Sequence, residues 1–398
     1  MKLSIKSAFI FAFLMGCSYH NSDLIPQLVS IQVQDRNGLT ETINVEERLE
    51  HYARIDFLSP QPYRKVTRVY RNEGKQEAFI TTYHPNGQPK QYLEALEMRA
   101  NGTFKEWHQN GKLKIQARLI GGTADLAVTP PNDWLFDGIA HAWNDEGALI
   151  AEIQYEKGLL EGPSKTYNEL GILKSNTFYQ KGQKQGESLA FHSNRTISSQ
   201  EIFNQDLLVK ATYFNDQNAL LAQVLDGNGF QIHFDGDRVK EKIEIQKGVP
   251  EGKIETYDKH GSLESIYTIH NGKKEGEEVV YYPSFNQVKL SISWSEDQIC
   301  GCVKTWYEDG KLESQREYAE NEKSGPSMGW YRDGSLMFIE DYEKGKLVSG
   351  RYYKKGKKEA VSNVVNGSGI ATLFDDWGRF PKKVRYVKGI PSEPDDFS

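Results

Sequence analysis

The chain has 398 residues, 38% of them hydrophobic and 26% charged, with 35 glycines and 14 prolines. A mean hydropathy of -0.64 excludes a polytopic helical membrane protein, and the composition excludes collagen and low-complexity chains. Seven Trp, 21 Tyr and 18 Phe are too many for a disordered chain. The 55 acidic and 49 basic residues leave a net charge of -6, which argues against bulk attraction to nucleic acid.

The first element is an address. Lys2 and Lys6 precede an apolar run from Ala8 to Leu14, too short to cross a bilayer but matching the apolar part of a secretory signal. The run ends Leu14-Met15-Gly16-Cys17, which resembles a bacterial lipobox. The resemblance implies removal of residues 1–16 as a signal peptide and acylation of Cys17, with palmitate among the chains. Multiple acyl chains give a stable anchor. Ser18 in place of Asp is similar to the pattern of outer-membrane lipoproteins. The expected location is therefore the bacterial cell envelope, lipid-anchored, with the outer membrane favoured over the inner. Residues 17–27 read as a tether.

Residues 28–77 read as an N-terminal cap, with a hairpin turning at Asn37-Gly38, a short helix around Glu46 to Phe57 and a Pro60/Pro62 loop. Such a cap would close the first edge of a repetitive sheet.

From residue 78 to residue 392 the chain repeats with a period near 24. Gly138, Gly162 and Gly186 mark three units, and Gly252, Gly276, Gly301, Gly325 and Gly350 continue the series. Five residues after the opening position stands an aromatic: Tyr83, Trp107, Trp143, Tyr167, Phe191, Tyr257, Tyr281, Trp306, Trp330 and Phe374. A turn glycine follows at the ninth position, as in Gly111 and Gly171, and an aliphatic residue two further on, as in Leu113 and Leu173. A second aromatic and glycine close the unit, as in Tyr179 with Gly182. Alternation in segments such as Leu149 to Tyr155 is strand periodicity. Asn86-Gly87, Asn110-Gly111, Asp309-Gly310, Asp333-Gly334 and Asn271-Gly272 read as two-residue hairpin turns. A lone hairpin cannot bury its face, whereas stacked hairpins can. The expected fold is all-β: an elongated antiparallel sheet of stacked hairpins, its aromatics in one ladder. An insertion near 121–135, carrying Pro130-Pro131 and Trp134, interrupts the array, and residues 393–398 form a tail. The units opening near Lys210 and Gly350 are five residues short, which points to a bulge or an irregular edge.

Tyr167-x-x-x-Gly171-x-Leu173, followed by Tyr179-x-x-Gly182-x-x-x-Gly186, resembles the MORN-repeat variant of bacterial proteins labelled YwqK-like antitoxins. That resemblance implies a β-sheet platform that binds proteins or lipid surfaces.

Catalytic signals are sparse. Gly325-Pro326-Ser327-Met328-Gly329 matches the G-x-S-x-G elbow, but Gly325 is a repeat glycine and the required strand–turn–helix context is missing. His84, His108 and His192 share one phase of the repeat, the place of a hairpin loop rather than of a triad or metal site. Cys300 and Cys302 flank Gly301. A disulfide between them strains the reach of a strand unless Gly301 bends it, so they read as structural cysteines, free or loosely bridged. No cofactor and no metal is expected. The lysines Lys354, Lys355, Lys357 and Lys358, with Lys382, Lys383 and Arg385 nearby, read as a solvated turn or as a contact to an anionic surface.

The expected role is a non-catalytic scaffold for envelope proteins that reaches the membrane through its lipid anchor and does not bind nucleic acid. The alternatives are a lipid or polysaccharide binder using aromatic rows such as Trp107, Trp143, Trp306 and Trp330, and an envelope hydrolase with an unrecognised site. Exposed rows would favour the binder and a deep polar pocket the hydrolase.

Overall fold

The computed structural model describes residues 28–71, 76–126, 133–283 and 286–392. The expected signal peptide, Cys17, the tether, the tail and the centre of the insertion lie outside the described residues. The protein is nearly all-β, with 64% of residues in strands. Among the described residues there are thirty strands, paired antiparallel, and one helix, Glu46–Ala53.

The chain forms two compact units, the first Met1–Leu149 with Tyr155–Gly158 and the second Ile150–Gln154 with Leu159–Ser398. In the first, the edge strand Thr40–Ile43 pairs with Ser30–Asp35, which pairs in turn with Arg64–Tyr70. From there the strands follow chain order to Gly138–Trp143. The helix starts with Glu46 and Glu47, favourable charges for a helix N-terminus. Its buried Leu49 joins Ile31, Ile43 and Val69. In the second unit each strand from Leu159–Tyr167 to Ile390–Ser392 pairs with its neighbours in sequence, and no described pairing closes a barrel.

One repeat explains the others. The aromatic five residues after the repeat glycine sits at a register shift and pairs with the aliphatic after the turn: Tyr167 with Leu173, Phe191 with Ile197, Tyr257 with Leu263, Trp306 with Leu312 and Trp330 with Leu336. Two features far apart in the sequence pattern are thus one cross-strand contact. The repeat glycine marks a second irregularity. Thr177 pairs with Ser188, but Tyr179 pairs with Lys184, so the strand that carries Gly186 bulges.

The two ends of each hairpin differ chemically. Only Asn271-Gly272 of the expected two-residue turns is one, with φ of 51° and 77°. At Asn86-Gly87 the bonds run His84 N to Gln88 O and Gly87 N to His84 O, which makes a three-residue loop closed by a left-handed glycine. Asn110, Asp309 and Asp333 sit in loops of the same kind. The physical reason is the side chain: Asn86 Oδ1 accepts from Gln88 N at 3.1 Å, a bond that a two-residue turn does not offer. The two-residue turns lie at the opposite ends, as at Lys157-Gly158 and Lys181-Gly182.

Hydroxyls, more than rings, fill the interior of the regular repeats. Thr166 meets Ser175 at 2.6 Å, Thr177 meets Ser188 at 2.8 Å, Thr256 meets Ser265 at 2.8 Å and Thr305 meets Ser314 at 2.7 Å. These paired hydroxyls satisfy each other and allow close approach at low hydrophobic content.

Apolar cores form where the two short units stand. In one, Phe203, Leu208, Tyr213, Val224 and Ile245 pack together. In the other, Tyr342, Leu347, Tyr352 and Val364 do the same. Each core is topped by a ring of backbone bonds: Leu208 N to Gly248 O, Gly248 N to Gly227 O and Gly227 N to Val209 O, mirrored by Leu347 N to Gly389 O, Gly389 N to Gly367 O and Gly367 N to Val348 O. Three hairpin ends therefore fold in on one another, where sequence periodicity gives only a ladder of neighbours.

Candidate interaction surface

The repeat aromatics are not the deepest residues. Tyr83 is buried, whereas Trp107, Trp143, Tyr167, Phe191, Tyr257, Tyr281, Trp306, Trp330 and Phe374 are half-buried. Full burial falls on the following residue in several units, with His192 at 4%, Tyr307 at 2% and Tyr331 at 0% exposed.

That following position links one repeat to the next. His84 Nε2 donates to Trp107 O, His108 Nε2 to Trp143 O and His192 Nε2 to Phe214 O, each at 2.9 Å. The hydroxyls of Tyr282, Tyr307 and Tyr331 donate to the carbonyls of Trp306, Trp330 and Tyr353, each at 2.7 Å. Where Asn or Asp holds the position, the side chain is too short and closes its own turn instead, as Asn168 does with Ile172 N and Asp258 with Ser262 N.

Carboxylates and amides before the repeat glycine do the same at the opposite end. Glu161 accepts from Lys181 N, Gln185 from Gln205 N, Glu251 from Asn271 N and Glu275 from Glu296 N, all within 2.9 Å. The Asn271 amide holds the Glu251 carboxyl below the usual carboxylate range. Cys300 occupies this position in its own repeat and is exposed, and Cys302 is half-buried, both thiols free. Burial pushes the Cys302 thiol up, the opposite of an activated nucleophile.

One cluster superficially resembles a triad. Asp237 contacts His192 Nδ1 at 3.2 Å, accepts from Ser193 N at 2.8 Å and from the Ser193 hydroxyl. Both side chains point at the carboxylate, and His192 Nε2 is spent on Phe214 O. No imidazole nitrogen faces the hydroxyl, so the geometry is that of a turn-to-turn latch. The Ser193 bonds hold the Asp237 carboxyl low. Ser327 of the elbow motif lies within the strand Glu322–Trp330 and is 0% exposed. Among the described residues no group of three or more His, Cys, Asp or Glu is placed to hold a metal.

The basic run is solvent-facing at Lys354, Lys357 and Lys358, while Lys355 is half-buried. Three successive turns meet beside it. Lys355 Nζ lies 5.6 Å and the Arg332 guanidinium 5.5 Å from the Trp377 ring, and Lys355 approaches Asp333 at 3.8 Å. Trp377 is 55% and Phe380 77% exposed. Lys382, Lys383 and Arg385 follow, all exposed. Cations with exposed rings in this pattern suit an acidic partner that also offers apolar contact. The charges are legible in the sequence, whereas the exposure of Trp377 and Phe380 leaves no mark in their spacing.

The MORN repeat variant profile matches residues 100–118 and 299–320. Two stretches of the chain are thus similar to the MORN repeat variant. The first covers the paired strands Arg99–Trp107 and Leu113–Leu119 with the loop between them, including Trp107 and Gly111, and the second spans Gly301, Trp306 and Gly310. No curated protein matches the chain. Among solved structures, the chain is similar to one titled "Crystal Structure of TcdB2-TccC3 without hypervariable C-terminal region", with 12% identity and a TM-score of 0.14, over 92% of this chain and 25% of that one. The chain thus spans a quarter of the length of that structure, and the likeness is too low to speak for fold or function.

Proposed function

We propose that this is a non-catalytic, lipid-anchored protein of the bacterial envelope whose MORN-type hairpin sheet is a scaffold for protein contacts. The observation that carries the reading is the use of the recurrent polar residues. The histidines, tyrosines and carboxylates that repeat with the fold are committed to the neighbouring repeat. Such commitment stiffens a platform and leaves, among the described residues, no convergent set of free acids, bases and nucleophiles. The exposed Trp377 and Phe380 among cations supply a contact surface of the kind that anchors protein interfaces.

A second reading, binding of lipid or polysaccharide along the aromatic rows, draws support from the half-buried state of Trp107, Trp143, Trp306 and Trp330. Two experiments separate the readings. Cys17→Ser should abolish fatty-acid labelling and release the protein from membranes; unchanged labelling ends the anchor. The released form, crosslinked in envelope extracts, should capture defined proteins in a manner reduced by Trp377→Ala with Phe380→Ala. Capture identical to that of an unrelated lipoprotein body, together with saturable binding to vesicles or glycans, would replace the scaffold by the binder.

A further inference from the structure

Residues 238–257 and 379–398 align without a gap. Arg238 falls on Arg379, Lys242 on Lys383, Ile243 on Val384, and Lys247-Gly248-Val249-Pro250 on Lys388-Gly389-Ile390-Pro391. The backbone repeats as well. Ile245 pairs with Pro250 and Gln246 with Val249 in the inner copy, and Tyr386 pairs with Pro391 and Val387 with Ile390 in the outer one. Each copy ends one of the two glycine rings described above.

The copies differ in what comes next. In the inner copy the return strand runs on to Tyr257, so Ile254, Glu255 and Thr256 pair with Ile243, Lys242 and Glu241. In the outer copy the strand Lys382–Val387 is paired on one side along its length up to Tyr386. On its other side the described return strand is Ile390–Ser392, which reaches only Arg385 to Val387. Among the described residues no strand lies beside the outer edge of Lys382, Lys383 and Val384. Both lysines are exposed and Val384 is half-buried. The sequence that follows does not reproduce the inner strand: Glu393 stands where the bulge glycine Gly252 stands, Pro394 replaces Lys253, and Asp395 replaces the apolar Ile254.

We propose that the edge Lys382–Val384 takes up an extended segment of a partner protein as an added strand, and that this segment carries an aliphatic residue followed by an acidic one, the chemistry of Ile254-Glu255. The inference rests on the scaffold reading and names the partner's chemistry. Strand addition draws affinity from backbone bonds and specificity from alternate side chains. The inner copy shows both side-chain rules within this same chain. An aliphatic residue meets the core-facing aliphatic, Ile254 against Ile243, and a carboxylate stands opposite a lysine, Glu255 against Lys242. Adjacent lysines on an open edge repel a second copy of that edge and disfavour uncharged strands, so the same charges that prevent aggregation select an acidic segment.

The probe is a fluorescent peptide with the sequence of residues 252–257, the part of the inner return strand that the chain's own Ile390–Ser392 does not duplicate, titrated into the Cys17→Ser protein. Saturable binding is expected, weakened at least tenfold by Lys383→Glu and restored in that variant by a peptide whose Glu255 counterpart is Lys. A chain carrying Glu393→Gly, Pro394→Lys, Asp395→Ile, Asp396→Glu, Phe397→Thr and Ser398→Tyr should cover its own edge and lose peptide binding. Absence of binding by the native chain, binding indifferent to Lys383→Glu, or binding seen only after removal of residues 393–398 overturns the proposal. The last outcome would assign the edge to the chain's own tail. Self-association without peptide binding overturns it too. If the peptide fails while envelope proteins are still captured, the scaffold reading stands and this inference alone falls.

Discussion

At the scale of single residues, the position after each repeat aromatic carries more than the aromatic itself. Tyr331 is 0% exposed and donates to Tyr353 O at 2.7 Å. Tyr331→Phe keeps the ring but leaves that carbonyl without its partner, so a loss of about 1–2 kcal/mol is expected in denaturant titration at neutral pH. Burial pushes the Tyr331 hydroxyl up to about 12. A raised folded pKa means that the hydroxyl's contribution is complete below the ordinary tyrosine value near ~10 and fades as pH climbs towards the folded value. The gap between native protein and Tyr331→Phe should therefore narrow between neutral pH and pH ~11; a gap that widens would contradict the burial argument. Tyr213→Ala, at a site 0% exposed, should cost about 3–5 kcal/mol, and Tyr167→Ala, half-buried, clearly less. The phase of His84, His108 and His192 was readable as a hairpin-loop position. Their bonds to the next repeat were not, because the acceptors are backbone carbonyls, which leave no mark in a sequence.

At the scale of elements, the hairpins were legible and their two ends were not equally so. The pairing of Tyr167 with Leu173 follows from the shared period, and the short helix expected around Glu46 to Phe57 stands at Glu46–Ala53. The repeat aromatics other than Tyr83 are half-buried, and period alone does not say which residue at a bulged strand end turns inward. The shortened units gave a warning of irregularity, and the structure supplies its form in the glycine rings. A Cβ on Gly229, at φ +141°, would lie 2.1 Å from Gln223 O, whereas one on Gly276, at φ +79°, would meet nothing within 4 Å. Gly276→Ala should then cost only the left-handed backbone penalty of about 1–2 kcal/mol. Gly229→Ala should cost distinctly more and expose the Phe203–Tyr213 core to solvent, as read by hydrogen exchange of those strands. Equal costs would mean that the close approach of Gly229 to Gln223 relaxes without strain. Acid should act on the hairpin ends first. Glu251 and Asp258 are held below the usual carboxylate range, chiefly by the amides of Asn271 and Ser262. Depressed folded values make their contribution complete above the ordinary carboxylate pKa and lost as pH falls through the folded one. Protection of the Asn271 and Ser262 amides should drop in that acidic window while the Val224 and Ile245 amides stay protected; simultaneous loss would show that the ends and the core open as one.

At the scale of the whole chain, stability is a sum of local terms. Within each unit the described strands pair almost wholly with their sequence neighbours, and the links from His108, Tyr307 or Glu251 reach no further than the next repeat. Nearest-neighbour coupling of this kind gives cooperativity that decays along the array. The two apolar cores topped by glycine rings are the exceptions, because each binds three hairpins at once. Denaturant unfolding should accordingly depart from two-state behaviour, with the hydroxyl-lined repeats between the cores opening at lower denaturant than the cores themselves. Tryptophan emission from Trp294, Trp306 and Trp330, with the other four tryptophans replaced by Phe, should report an earlier midpoint than hydrogen exchange at Val224. Tyr213→Ala should move the exchange transition and leave the tryptophan transition nearly in place, since additivity holds for sites that share no partner. Coincident transitions by both probes, shifted together by Tyr213→Ala, would mean that the repeats couple over distances that their bonds do not span.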